Sequence, residues 1–109
     1  MTFHVFLTAS AISDLRALVA YVALNDSPEA AETVAARIEN ALLHLETLPG
    51  RGHVPPEVDR IGVRNFREVH AGPYRITYWI REESVHVHCI LDGRRDLQDL
   101  LFERLTRGV

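Results

Sequence analysis

Lysine is missing from the sequence: all twelve basic side chains are arginine. A GC-rich genome is one source of that bias, since arginine codons are GC-rich, and it involves no function. Cysteine occurs once, as Cys89, which excludes an internal disulfide and fits a reducing compartment. No apolar run approaches the ~18 residues of a membrane span. No charged-then-apolar leader opens the chain, so a cytoplasmic protein with no membrane partner is expected. The chain also lacks a net positive charge; at −3 it is a poor match to a dedicated nucleic-acid binder. A Gly-rich phosphate loop is absent, as is a nucleophile with an evident His/acid partner. No cofactor and no metal are expected.

What is present is ordinary globular composition, 47% apolar and 25% charged. It is enough for a single domain over 1–109. The charge is uneven. Residues 1–59 carry three Arg against eight acids, and residues 60–109 carry nine Arg against seven acids. An anionic partner would therefore be met by the second half.

Phe3, Val5 and Leu7 alternate with His4 and Phe6, which predicts a short strand. Thr8 offers a cap oxygen for a helix with Ile12, Leu15, Leu18, Val19 and Val22 at helical spacing. Ser27-Pro28-Glu29 starts a second helix. Val34, Ile38, Ala41, Leu42, Leu45 and Leu48 form its apolar stripe, and Pro49-Gly50 ends it. The short connection predicts an antiparallel helical hairpin. Residues 50–62 read as a loop. Three strands follow, from Phe66, from Tyr74 and from Val85. In the last, Val85, Val87, Cys89 and Leu91 are expected on one face and His86, His88, Ile90 and Asp92 on the other. Asp96 can cap a final helix with Leu97, Leu100, Leu101 and Leu105 on one side. The order β-α-α-β-β-β-α predicts an α+β fold: a small, antiparallel-rich sheet with the hairpin on one face. The opposite face, carrying Arg75, Trp79 and the two histidines, is expected to be the barer one and to receive a partner.

His86-x-His88 puts two imidazoles on one side of a regular strand. A zinc site needs a third ligand; Cys89 would point away, and His70 and Asp92 are possible helpers that nothing in their spacing demands, so a half-exposed strand face is the expected reading. Arg94-Arg95-Asp96, between strand and helix, places guanidiniums near backbone amides, which suits an anion; pairing with Asp92, Asp96 or Asp99 is the alternative. Arg75 in a central strand is either a binding cation or a paired structural one. Glu57 is a loop carboxylate able to act as a general base.

The stretches VFLTASAISDLRALVAYVA, DSPEAAETVAARIENALLHLETLPGRG, FREVHAGPYRITYWI and VHVHCILDGRRDL resemble the RelE/ParE superfamily of type II toxin–antitoxin toxins across nearly the whole chain. The resemblance implies one of two activities, metal-free cleavage of mRNA on the ribosome or inhibition of DNA gyrase. On the first, Arg75, Arg94, Arg95 and Glu57 take the catalytic positions. Several departures favour the second. There is no lysine cluster, and Asp92 stands where many members carry histidine. The C-terminal Tyr or His is replaced by an apolar helix. The target surface is then expected at Arg75, Trp79, Arg94 and Arg95. The resemblance also implies a cognate antitoxin, a small ribbon-helix-helix or similar DNA-binding protein. It is expected to wrap the chain at Leu18, Tyr21, Val22, Arg37 and Trp79.

Overall fold

A computed structural model describes residues 2–107. Strand β1 (His4–Leu7) leads into helix α1 (Ala9–Asn25) and helix α2 (Pro28–His44). A short helix α3 (Pro56–Asp59) precedes strands β2 (Phe66–Ala71), β3 (Tyr74–Arg81) and β4 (Ser84–Asp92), and helix α4 (Gln98–Thr106) closes the chain. The caps expected of Thr8 and Ser27 form: their side-chain oxygens accept from the Ala11 and Ala30 amides at 3.1 and 3.0 Å. Asp96 acts one step earlier than expected. Its carboxylate accepts from the Gln98 amide at 3.2 Å, while Leu97 occupies the cap position.

The strands form one sheet in the order β1-β4-β3-β2, with β1 parallel to β4 and the other pairs antiparallel. The helical hairpin lies on one face. Ala11, Ile38, Ala41 and Leu45 pack there against Val69, Ile76, Tyr78, Val85, Val87 and Ile90. The α2 stripe stops short of its expected end, because the helix finishes at His44 and leaves Leu48 exposed.

Two expectations are corrected. First, β4 does not alternate regularly. Thr77 pairs with Cys89 and Tyr78 with Val87, so His88 is an extra residue in a β-bulge. The bulge shifts the phase: Val85, Val87 and Ile90 face the helical hairpin, while Cys89 and Leu91 face the opposite side. Second, that opposite side is not bare. Val58 of α3 and Leu101 and Leu105 of α4, with Leu97, pack on Phe66 and Cys89 as a second core, flanked by Trp79 and Leu91. The exposed remainder lies toward β1, where Phe6 is half exposed and stacks on His86 at 5.6 Å.

β1 covers β4 only from Ser84 to Val87. Beyond it the β4 edge meets two side chains. Asp14 of α1 accepts from the Ile90 amide at 3.1 Å, and Arg104 of α4 donates to the His88 carbonyl at 2.9 Å. Asp14 and Arg104 also bond each other, so both helices are tied to the strand at the bulge.

Candidate functional site

The parted edge of β4 and the outer side of α1 enclose a groove of about 630 Å³. Leu18, Tyr21 and Val22, at i, i+3 and i+4, form its helical wall. Tyr74 and Ile90 belong to its sheet side, and Arg94 and Arg95 to its rim. Tyr21 is exposed and Leu18 and Val22 are half-buried, so the wall offers apolar surface to a partner. The structure thus brings together residues that the sequence had assigned to two separate surfaces.

The two rim arginines differ. Arg94 forks onto Asp92, Nε to Oδ1 at 3.0 Å and Nη2 to Oδ2 at 2.9 Å, with its own amide on the same Oδ1. Its guanidinium also stands 5.8 Å from the centre of the Tyr74 ring. That pairing lowers the Asp92 pKa and raises that of Arg94. Arg94 nevertheless remains largely exposed. Arg95 is exposed and enters no ion pair among the described residues.

Arg75 is placed quite differently. Its side chain is 15% exposed and lies between two carboxylates. Nη1 and Nη2 reach Glu57 Oε2 and Oε1, both at 2.8 Å; Nε reaches Glu68 Oε1 at 2.8 Å, and Nη2 bonds Glu68 Oε2. Glu57, 10% exposed, has its pKa lowered, first by the Arg75 hydrogen bond and against the opposing effect of burial. Arg75 is correspondingly raised, with Glu57 the largest cause. Gly93 permits this arrangement, since a Cβ there would lie 2.9 Å from Arg75 Cγ. Of the four groups expected to act together on RNA, Arg75 and Glu57 bond each other, while Arg94 and Arg95 line the groove.

Trp79, expected to contact both antitoxin and target, joins an aromatic row on the second face. His86 and His88 both set edge to face against its indole, at 6.2 and 5.2 Å, and Phe66 stacks on it at 6.0 Å. The His88 pKa is lowered, chiefly by burial and then by His86. The Trp79 Nε1 and His88 Nε2 atoms are both buried and have no hydrogen-bond partner among the described residues. Arg37 lies outside the groove lining; its Nη1 sits 2.6 Å from where a Cβ on Gly72 would stand, at the β2–β3 turn.

Three further side chains meet beside Arg75: Glu68 and His53, to which the sequence drew no attention, and His70, which it offered only as a helper to His86 and His88. Glu68 is 2% exposed, and both imidazoles converge on its Oε1, His70 Nε2 at 2.7 Å and His53 Nε2 at 3.7 Å. The alternation of Glu68 with His70 on β2 was a legible signal. The approach of His53 was not, because it depends on how the loop folds back.

A four-stranded sheet with a helical hairpin on one face and a terminal helix on the other is a compact α+β architecture. A solved chain titled as the chromosomal ParDE TA system from P. aeruginosa has a similar fold, with a TM-score of 0.68 at 17% identity over 84% of this chain and 96% of that one. No curated protein matches the sequence. The family described as ParE toxin of type II toxin-antitoxin system, parDE, matches residues 5–97, and the chain belongs to it. It is therefore a type II toxin of the ParE kind, and its system includes a cognate antitoxin. None of the helices is long and apolar enough to cross a membrane among the described residues.

Proposed function

We propose that the free chain inhibits DNA gyrase and does not itself cut RNA. The observation that carries this reading is the closed pairing of Arg75 with Glu57. A ribonuclease needs its cation at the phosphate and its base at the ribose hydroxyl. Here each is the other's hydrogen-bond partner at 2.8 Å, and both are largely buried. The surface free to meet a target is then the groove rim at Arg94 and Arg95 together with the Phe6–His86–Trp79 row.

The antitoxin, in this reading a ribbon-helix-helix or similar protein, lays an apolar segment bearing acidic side chains along the groove. Leu18, Tyr21 and Val22 accept its apolar side, and Arg94 and Arg95 attract its carboxylates. Beyond the β1 pairing, Asp14 and Arg104 already take the Ile90 amide and the His88 carbonyl of β4, which favours a helix laid in the groove over a strand added at that edge.

Expression of the chain alone separates the readings. Filamentation with a DNA-damage response, and gyrase inhibition by purified protein, are expected. Abrupt translation arrest with cleaved transcripts would overturn the proposal in favour of a ribonuclease, and unhindered growth would leave a binding module. Tyr21→Ala with Arg95→Glu should weaken antitoxin binding at least about tenfold, the scale of one desolvated anchor.

A further inference from the structure

We propose that His53, Glu68 and His70 form a binding site for a divalent transition-metal cation of the zinc type, with a coordination position open to water. The three donor atoms lie within 4.8 Å of one another. Zinc bonds of ~2.1 Å in a tetrahedron put neighbouring donors about 3.4 Å apart. The His70–Glu68 and His53–Glu68 separations, 2.7 and 3.7 Å, straddle that value, so small side-chain rotations suffice. Two nitrogens and one carboxylate oxygen suit zinc and its neighbours better than magnesium or calcium.

The backbone fixes the arrangement. His53 and Glu68 form an isolated antiparallel bridge, His53 N to Glu68 O at 3.1 Å and Glu68 N to His53 O at 2.7 Å. His70 is two residues further along β2 and therefore on the same face as Glu68. Arg75 holds the Glu68 carboxylate through both oxygens, the kind of outer contact that orients a metal ligand. The Oε1 lone pair used by His70 is the one a cation would take. The metal would replace the proton between His70 Nε2 and that oxygen, and the imidazole would carry its hydrogen on Nδ1.

Charge supports a cation here. Glu57 and Glu68 share one guanidinium, so the cluster keeps one negative charge when both histidines are neutral. The exposed Arg60 near Glu57 offsets part of that charge at the end away from the histidines, and does so weakly because it stands in solvent. Glu68 is 2% exposed, so water meets little of that charge. The histidines are 60% and 53% exposed, which gives an ion a path in and leaves room for a water ligand.

Tag-free, chelator-stripped protein should bind one Zn²⁺ per chain in a calorimetric titration near neutral pH. Co²⁺ should give the visible bands of a four- or five-coordinate site. His53→Gln and His70→Gln should each weaken binding at least about tenfold. Both are exposed positions, and circular dichroism checks that the variants fold. His86→Gln should bind as the parent does. Absence of saturable binding at one equivalent, binding undiminished in both His53 and His70 variants, or binding lost with His86, would each overturn the proposal.

Discussion

Asp14 and Arg104 stand 90 residues apart in sequence and meet in a two-pronged pair, Nη1 to Oδ1 at 3.2 Å and Nη2 to Oδ2 at 3.0 Å, over the bulge in β4. Each also takes one backbone group of that strand, the Ile90 amide and the His88 carbonyl. The pair joins the first helix to the last and stabilises the irregular strand edge beside the groove. Arg104→Ala leaves a largely buried carboxylate without its partner, so a loss of about 3 kcal/mol is expected in urea unfolding. A loss below about 1 kcal/mol would mean that the pair behaves like an ordinary surface contact.

Arg75→Ala removes the cation shared by Glu57 and Glu68 and should destabilise the fold by about 3–5 kcal/mol. Glu57→Gln added to Arg75→Ala should recover part of that loss, because one buried negative charge is gone. A double-mutant cycle measures the coupling. Additive losses would show that the two side chains act independently.

Acid should destabilise the protein in two stages. Glu57 and His88 both have lower pKa values folded than unfolded. The unfolded chain therefore takes up more protons as pH falls, and stability falls with it. The His88 contribution is complete above its ordinary value of 6.5 and declines below it. The Glu57 contribution is complete above 4.5 and is lost as pH drops through its lower folded value. Thermal midpoints from pH 8 to pH 3 check this, and His88→Phe should remove the upper stage alone. A flat profile through the upper range in the parent would contradict the placement of His88.

Burial pushes the Cys89 thiol up to about 11. A buried, protonated thiol is a poor nucleophile. Native protein should react with a thiol reagent only at the rate of unfolding, and denatured protein at once. Rapid stoichiometric labelling of native protein would show that the second core opens.

Local chemistry made much of the fold legible. The Thr8 and Ser27 caps and the helical spacing of α1 and of α2 as far as His44 depend on neighbours in sequence, and they form where expected. Arg94 and Arg95 were legible for the same reason, as charges between a strand end and a helix start. Burial at β4 was not, because Val85, Val87, Cys89 and Leu91 are all apolar. A regular strand and a bulged one fit that pattern equally well when both faces of the sheet are covered. The coverage itself depends on α4 turning back over the second face, which brought Leu97, Leu101 and Leu105 onto Cys89 and Phe66.

The sequence by itself determined the order of elements, the helical hairpin and the arginine-rich second half, because periodicity, capping and composition act over a few residues. Only the tertiary structure decided which arginines are free. Arg75 is committed to Glu57 and Glu68, whereas Arg95 stays exposed at the groove rim. The physical reason is distance along the chain. A guanidinium's partner is whichever carboxylate the packed backbone carries to within hydrogen-bond reach, and Glu57 arrives on the short helix α3, inside a segment that the sequence pattern reads only as a loop.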